Sequence, residues 1–314
     1  MSGILVALAG MDQAPWVERL QALEPGRPVR AWPERGDPSE IGYLCVWKPP
    51  SAALTGWPNL KGVLCMGAGV DHLMQNPALP AVPVVRVVDP DLTARMSEYI
   101  VLHVLLHHRA LLRTLADQKA RHWAAWEQSA ASAVRVGLLG LGELGLDAAR
   151  KLAMMGFQVA GWSRSPKTLE GIETFSGADG LDAFLARTDI AVVVLPLTDD
   201  TRNMIDRRFL ARLARDGVRG APVLINVGRG GLQVEADILA ALDDGTLGAA
   251  SLDVFQTEPL PADSRFWSHP NVVLTPHTAA ESDPVALSRY AVEQIRRFEA
   301  GQGFTNTVDP ARGY

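Results

Sequence analysis

Three segments in the second half of the sequence place an arginine, a glutamate and a histidine just after runs of β-forming residues. These are "LINVGRGG" with Arg229, "SLDVFQTEPLP" with Glu258 and "NVVLTPHTAAES" with His277. A guanidinium can bind a carboxylate with a forked pair of hydrogen bonds and polarise an adjacent ketone. An imidazole can protonate the oxygen of the reduced ketone, and a carboxylate can keep that imidazole oriented and protonated. The three residues together predict reduction of a 2-keto acid. Taken singly, Arg229 could be an ion pair at a domain edge and His277 a helix cap.

A glycine-rich turn stands upstream of these segments. In "VGLLGLGELG", Gly140, Gly142 and Gly145 follow a strand pattern and precede a helix pattern, with the spacing G-x-G-x-x-G. This spacing permits a tight turn, a close approach of the backbone to a pyrophosphate, and close packing of helix on strand. The N–H groups of Glu143 and Leu144 would then face the phosphates at the helix N-terminus. The segment predicts a dinucleotide-binding turn.

The strand after this helix ends in "GWSRSPK", where a dinucleotide-binding protein commonly presents an acid to the ribose hydroxyls. No acid is present, and Ser163 stands at that position. It is followed by Arg164, Ser165 and Lys167. Two hydroxyls, a guanidinium and an ammonium suit a dianionic 2′-phosphate. The segment therefore favours NADPH over NADH, although solvated surface charges are the alternative.

The elements that must position these residues form two strand-and-helix series. The first contains "ILVALAG", "YLCVWKPP", "KGVLCMG" and "PVVRVVD"; the second contains "VRVGLLG", "FQVAGWS", "IAVVVLP", "VLINVG", "AASLDVF" and "NVVLTPH". Continuous apolar strands that alternate with helices indicate parallel sheets covered on both faces. The sequence thus predicts an α/β protein with two doubly wound, Rossmann-like domains. A single long helix from Met96, free of Pro and Gly for over 20 positions, is expected between them.

Composition limits the classes of partner. The chain has 314 residues, 47% apolar and 21% charged, with a formal net charge of −5 and two cysteines. A net negative charge argues against a general affinity for nucleic acid or acidic membranes. No basic leader and no apolar run of membrane-spanning length is evident, and two cysteines fit a reducing compartment. A soluble cytoplasmic protein is the expectation.

Two features are ambiguous from the sequence alone. His103 and His107 have the i,i+4 spacing of zinc ligands, but no third ligand is evident, so a packing role is expected and no metal is assigned. The irregular segment 117–132 carries two tryptophans. It is either a surface loop with packed indoles or an arm that contacts a second subunit.

The sequence resembles the D-isomer-specific 2-hydroxyacid dehydrogenase family over nearly its whole length, and most closely the glyoxylate/hydroxypyruvate reductase A branch. The motifs that carry the resemblance are "CVWKPP", "MGAGVDHL", "GLLGLGELG", "GWSRSPK", "NVGRGG", "LDVFQTEPLP", "TPHTAA" and the terminal "VDPARGY". Where Gly228 stands, the family often has Ala. The resemblance implies reduction of glyoxylate to glycolate and of hydroxypyruvate to D-glycerate, with NADPH preferred and NADH weaker.

The resemblance also implies an organisation. A discontinuous flavodoxin-like substrate domain would comprise residues 1–97 and 283–314, and an inserted NAD(P)-binding domain residues 98–282. The active site would lie between the domains, and homodimers would form through the cofactor domain. Arg229, Glu258 and His277 would be catalytic. Further cofactor-binding residues would be Leu195, Pro196, Thr201, Val227, Gly228 and Asp253. Substrate-binding residues, besides Arg229, would be Trp47, Ala68, Gly69 and Val70.

Two other functions are compatible with the same fold. The first is another enzyme of this class: a D-lactate, phosphoglycerate or formate dehydrogenase. The end of the chain at Tyr314 leaves no room for the added regulatory domain of some phosphoglycerate dehydrogenases. A non-catalytic module that senses NAD(P)H is the second, because relatives of this fold act as corepressors. Turnover of a keto acid would separate an enzyme from a sensor.

Overall fold

A computed structural model describes residues 1–309, so the last five residues of the "VDPARGY" motif lie outside the described part of the chain. Two compact units are present. One comprises Met1–Leu92 together with Ser282 and the described residues after it, and the other comprises Thr93–Glu281.

The chain forms twelve strands and nine α-helices within the described residues. The strands are β1 Gly3–Leu8, β2 Val29–Ala31, β3 Ile41–Trp47, β4 Gly62–Cys65, β5 Val84–Val85, β6 Arg135–Leu139, β7 Gln158–Ser163, β8 Glu173–Ser176, β9 Ile190–Val193, β10 Val223–Asn226, β11 Ala249–Leu252 and β12 Val272–Leu274. The helices are α1 Ala14–Leu23, α2 Asp71–Met74, α3 Pro90–His108, α4 Leu111–Lys119, α5 Glu143–Met154, α6 Gly177–Ala186, α7 Arg207–Arg212, α8 Glu235–Asp243 and α9 Pro284–Glu299.

The first unit contains a five-stranded parallel sheet in the order β2-β1-β3-β4-β5. This is the flavodoxin-like order. Both faces are covered, because Ile4 and Val6 of β1 pack with α1 and α9 on one side while Leu5 and Ala7 pack on the other. Burial on both faces explains why β1 is apolar without alternation.

The second unit contains a seven-stranded parallel sheet in the order β12-β11-β10-β9-β6-β7-β8. The chain therefore winds outward from β6 in both directions, and the turn after β6 lies where the strand order reverses. Open α/β sheets bind their ligands at such a switch point, beyond the carboxyl ends of the strands. The prediction of two doubly wound α/β domains is confirmed.

The structure differs from the sequence expectations in three elements. The short strands β2 and β8 were not predicted, because three or four residues with mixed polarity give no clear pattern. The expected single helix from Met96 is wrong at both ends. It begins at Pro90, and it ends at His108 because Ala110 takes a left-handed conformation (φ 47°) before α4 starts. Alanine favours the helical conformation, so the residue at this break did not predict it.

No helix among the described residues is long and apolar enough to cross a membrane.

Candidate active and cofactor site

The glycine turn connects β6 to α5 in the second unit. Gly140 has φ 106°, which favours glycine, and a Cβ on it would lie 2.8 Å from the carbonyl oxygen of Val194. A Cβ on Gly145 would overlap the carbonyl oxygen of Gly140. A Cβ on Gly142 would meet nothing within 4 Å. Gly140 and Gly145 are thus required by the turn itself, whereas Gly142 is required only if something else occupies the space beside it.

The N-terminus of α5 has what a pyrophosphate needs. Glu143 and Leu144 are its first residues, and their N–H groups have no acceptor within the helix. These donors and the helix dipole favour an anion at the open side of Gly142. The turn therefore fits the diphosphate of a dinucleotide.

The end of β7 lies beside this turn, since Gly140 N–H donates to the carbonyl oxygen of Trp162 at 2.9 Å. Lys167 Nζ donates to the carbonyl oxygen of Leu141 at 2.5 Å, which places its ammonium against the glycine turn. Ser163 is buried, and its Oγ donates to the carbonyl oxygen of Ser165 at 2.8 Å. Arg164 and Ser165 are exposed. Strand pairing thus brings the basic segment to the glycine turn.

The segment after β9 holds three of the expected adenosine-side residues. Leu195 is buried in the core. The hydroxyl of Thr201 donates to the carbonyl oxygen of Pro196 and accepts from Thr198 N–H, both at 2.8 Å. In this structure Thr201 therefore stabilises the loop that carries Pro196.

Arg229 follows β10 in a loop fixed by two buried amides. Asn226 Oδ1 accepts from Gly228 N–H at 3.0 Å, and Asn226 Nδ2 donates to Gln233 Oε1 at 2.8 Å and to the Arg229 carbonyl oxygen at 3.2 Å. A Cβ on Gly228 would lie 2.7 Å from the carbonyl oxygen of Leu195, so an alanine at this position would require the neighbouring backbone to move. Val227, expected near the nicotinamide ring, is buried.

Glu258 and His277 are hydrogen-bonded. His277 Nδ1 lies 2.8 Å from Glu258 Oε2, and Glu258 Oε1 accepts from Phe255 N–H at 3.0 Å. Both side chains are partly exposed. The arrangement holds Nδ1 on the carboxylate and leaves Nε2 as the ring nitrogen that can transfer a proton.

The backbone at His277 is strained. Its φ is 58°, in the left-handed region that a residue with a Cβ rarely adopts. Its N–H lies 2.9 Å from the carbonyl oxygen of Asp253 and 3.0 Å from that of Thr275. Strain of this kind persists only where the surrounding structure holds it.

Asp253 is buried between β11 and the segment after β12. Its Oδ1 accepts from Thr275 Oγ1 at 2.6 Å and from Thr278 N–H at 2.8 Å, and Oδ2 accepts from Ala279 N–H at 3.1 Å. Burial raises the pKa of Asp253, and these three hydrogen bonds oppose that rise. In this structure Asp253 orients the turn that carries His277.

The histidine pair on α3 binds a serine of β11. His103 Nδ1 and His107 Nε2 lie 2.7 and 2.8 Å from Ser251 Oγ. Burial lowers the pKa of His103 to about 4 and, with the charges of Arg219 and His103, that of His107 to about 3. Among the described residues no cluster of three or more His, Cys, Asp or Glu side chains could hold a metal.

The first unit contains the expected substrate-binding residues. Trp47 ends β3, and its ring packs against Gly67 and His72, with 4.7 Å between the Trp47 and His72 ring centroids. Ala68, Gly69 and Val70 form the turn between β4 and α2. Trp47 thus lies beside the turn that carries these three amides.

Sequence reasoning missed the polar groups that support the site: Tyr99, Asn226, Gln233, Ser251 and Thr275. Asn226 and Ser251 carried a usable signal, because each is a polar residue inside an otherwise apolar buried strand, where a polar group needs a partner. Tyr99 carried none, because its partner is 176 residues away in sequence.

Comparisons with known proteins identify the family. Residues 101–279 match the model of the D-isomer specific 2-hydroxyacid dehydrogenase, NAD binding domain. A glyoxylate/hydroxypyruvate reductase A from Yersinia enterocolitica is 37% identical over 305 residues, which is 95% of this chain and 96% of that protein.

Two solved structures superpose over almost the whole chain. An NADPH-dependent glyoxylate/hydroxypyruvate reductase from Sinorhizobium meliloti, solved with NADP and sulfate, is 49% identical with a TM-score of 0.94 and full coverage of both chains. A D-isomer specific 2-hydroxyacid dehydrogenase from Xanthobacter autotrophicus Py2, solved with NADPH and MES, is 42% identical with a TM-score of 0.94, covering 100% of this chain and 99% of that one. This chain belongs to the D-isomer-specific 2-hydroxyacid dehydrogenase family.

Proposed function

We propose that the protein is an NADPH-preferring reductase of small 2-keto acids, converting glyoxylate to glycolate and hydroxypyruvate to D-glycerate. The observation that carries the proposal is the Glu258–His277 pair, with 2.8 Å between Oε2 and Nδ1. This pair lies beyond the ends of the neighbouring strands β11 and β12. Strand β10, which precedes Arg229, is the next strand in the sheet. The names of the Yersinia and Sinorhizobium relatives support the same substrates.

Each side chain has a step that its position supports. Arg229 binds the substrate carboxylate and polarises the ketone. His277 donates the proton from Nε2 to the ketone oxygen as that oxygen gains negative charge, and the neutral ring is reprotonated from solvent. Glu258 fixes the ring and stabilises its protonated form. Bound NADPH would supply the hydride to the carbonyl carbon.

Each of the two units is assigned one binding role. The Thr93–Glu281 unit would bind the cofactor, with the diphosphate at the glycine turn and the nicotinamide near Val227, Gly228 and Asp253. The unit that contains Trp47 would bind the substrate carboxylate through the amides of 68–70. Supporting this, Trp47 packs directly against that turn.

The preference for NADPH is supported by Lys167, whose ammonium contacts the glycine turn, and by the exposed Arg164 three positions before it. Replacing Ser163 by Asp and Arg164 by Ala should repel the 2′-phosphate and favour the ribose hydroxyls instead. The ratio of kcat/KM for NADPH to that for NADH is expected to fall by at least about tenfold, which corresponds to one charge-assisted hydrogen bond. Lys119→Ala, far along the chain in α4, is the control and should leave the ratio unchanged. An unaltered ratio in the double variant would contradict the phosphate assignment.

The first experiment measures oxidation of NADPH and NADH by absorbance, with glyoxylate, hydroxypyruvate and pyruvate in parallel. Rapid NADPH consumption with the first two supports the proposal. Faster turnover of pyruvate would instead identify a D-lactate type of dehydrogenase. Tight NADPH binding without turnover of any keto acid would identify a sensor.

We also propose a homodimer formed through the Thr93–Glu281 unit. Several large apolar side chains on α3, α4 and the segment after α4 are exposed: Leu102, Leu111, Leu115 and Trp123, the last at 97%. Such a surface marks an interaction site in an otherwise charged exterior. Light scattering should give a dimer mass, and Leu115→Glu with Trp123→Ser should give a monomer; a monomeric wild type would exclude the dimer.

A cytoplasmic location is part of the same proposal. Cys45 and Cys65 are both buried, and neither forms a disulfide with a described residue, which suits a reducing compartment. Fractionation of the source cells with an antibody to the chain tests it.

A further inference from the structure

Helix α3 presents a polar stripe toward the strands that carry the candidate catalytic residues. Tyr99, His103 and His107 are spaced four residues apart, so they lie on one face. The rings of Tyr99 and His103 stack with centroids 4.0 Å apart. His103 and His107 bind Ser251 of β11, and Tyr99 OH lies 2.7 Å from Thr275 Oγ1, just after β12.

The direction of the two hydrogen bonds at Thr275 follows from its single hydroxyl proton. Thr275 Oγ1 donates to Asp253 Oδ1, which also accepts from Thr278 N–H. The hydroxyl of Thr275 has one proton, so Tyr99 must be the donor to Thr275. Burial, the largest cause, and the charge of Asp253 raise the pKa of Tyr99, so the phenol keeps the proton that it donates.

The chain of donors ends on the turn that carries His277. Asp253 accepts from Thr275 before His277 and from Thr278 and Ala279 after it. The turn is thus held on both sides of a residue whose backbone is in the left-handed region. The carboxylate can hold the turn in this form only while its own orientation is fixed.

We propose that Tyr99 and Thr275 are positioning residues for His277, acting through Asp253. The donors Tyr99 O–H and Thr275 O–H fix the Asp253 carboxylate, which in turn keeps the turn 275–279 in the strained form that places His277 on Glu258. Helix α3 is the support from which the acid of the reaction is oriented. The inference rests on the proposed function for its kinetic consequence, and its structural consequence can be measured without turnover.

The test compares Thr275→Val, which keeps the shape and removes the hydroxyl, with Thr275→Ser, which keeps the hydroxyl. Thr275→Val should lower kcat for keto-acid reduction by about 10- to 100-fold, because small displacements of a reacting group have effects of this size. The KM of the keto acid should change little. Thr275→Ser should restore kcat to near the wild-type value, and Tyr99→Phe should lower it by a smaller factor than Thr275→Val.

Tyr290→Phe is the matched control, because it removes a tyrosine hydroxyl that donates to the carbonyl oxygen of Arg86 in the other unit. It should leave kcat unchanged. A kcat of Thr275→Val equal to that of wild type, or a Thr275→Ser as slow as Thr275→Val, would overturn the inference. A Tyr290→Phe that loses as much kcat as Tyr99→Phe would overturn it as well.

Hydrogen exchange of the peptide that contains 274–281 gives a readout independent of activity. The amides of Thr278 and Ala279 donate to Asp253, so they should exchange faster in Thr275→Val and at the wild-type rate in Thr275→Ser. If wild type turns over no keto acid but this exchange pattern is found, the proposed function fails while the positioning role stands. If wild type is active and exchange is identical in all variants, the positioning role fails alone.

Discussion

At the scale of residues, the candidate site depends on a small number of side chains whose partners are specific. His277 Nδ1 is hydrogen-bonded to Glu258. Arg229 lies in a loop that hydrogen bonds of Asn226 and Gln233 hold in place. Neither the histidine nor the glutamate is buried enough to need the other for folding. Their pairing is therefore better explained by chemistry than by stability.

Replacement of His277 by Ala should lower kcat by about 10²- to 10⁴-fold, the range that general acid catalysis contributes. Affinity for NADPH, measured by fluorescence titration, should stay at the wild-type value, because the expected cofactor contacts lie elsewhere. His122→Ala removes an exposed histidine that lies 3.2 Å from Asp117, and it should retain full activity. Loss of cofactor affinity in His277→Ala, with little change in kcat, would show that the role assigned to His277 is wrong.

At the scale of elements, the glycine turn and helix α3 illustrate two ways in which local structure supports the site. In the turn, two of the three glycines are required by the backbone, whereas the third, Gly142, borders open space. In the helix, polar side chains whose burial is costly make hydrogen bonds to Ser251 of β11 and to Thr275 just after β12.

Gly142→Ala should therefore affect cofactor binding, and Gly145→Ala should affect stability. Gly142 has φ −75° and free space around its Cα, so alanine should fold normally but weaken NADPH binding by filling the space beside the diphosphate. Alanine at Gly145 overlaps the Gly140 carbonyl and should destabilise the fold by about 1–3 kcal/mol. Thermal unfolding and NADPH titration of both variants check this. Equal loss of stability in the two variants would contradict it.

Acid should destabilise the protein through α3. His103 and His107 are neutral in the folded chain, with pKa values lowered to about 4 and about 3 by burial, whereas an unfolded histidine takes up a proton below about pH 6.5. Above pH 6.5 both imidazoles are neutral in the folded and the unfolded chain, so they do not lower the free energy of unfolding. It should fall as the pH drops from 6.5 towards 4, by up to about 1.4 kcal/mol per pH unit for each imidazole.

Denaturant unfolding between pH 7.5 and 5 measures this slope. The groups that face the pair are Ser251, Tyr99 and the cation Arg219, none of which should titrate in this range. A double variant with His103→Gln and His107→Gln should show a flatter pH dependence, whatever its stability at pH 7.5. An equally steep dependence in that variant would assign the acid sensitivity to other groups.

At the scale of the whole molecule, distant parts of the sequence close the first unit. Arg27 has a side chain only 1% exposed, and its guanidinium binds Glu24 at 3.0 Å and Glu299 at 2.8 Å. Glu299 ends α9 and also accepts from Tyr43 OH at 3.2 Å. Residues separated by 272 positions are thereby joined, as a unit built from both ends of the chain requires.

Arg27→Leu should destabilise the protein by about 3–5 kcal/mol, because it leaves two carboxylates without their shared cation. The exposed pair of Arg30 and Glu40, also at 3.0 Å, is the matched control, and Arg30→Ala should cost at most about 1 kcal/mol. Thermal and urea unfolding distinguish the two variants. A mild effect of Arg27→Leu would mean that packing of α1 on α9 and the Arg296–Glu24 pair hold the ends of the unit together.

Local sequence determined much of the fold and of the candidate site. Apolar strand runs predicted two doubly wound sheets because strands buried on both faces carry no polar alternation, and glycine spacing predicted the dinucleotide turn because backbone geometry there excludes a Cβ. Arg229, Glu258 and His277 could be named because each lies in a segment that begins where a strand ends. The strands β2 and β8 and the break at Ala110 could not be predicted, since their conformations come from neighbours and not from their own residues.

Only the tertiary structure decided which polar groups support the site. Asn226, Ser251, Thr275 and Tyr99 acquire their roles from partners brought close by parallel strand pairing and by the packing of α3 on the sheet. A hydrogen bond acts over about 3 Å, and proximity at that range between residues up to 176 positions apart is a property of the fold. The sequence determined the chemistry available to this protein, and the packing of one helix against two strands decided how its histidine is held.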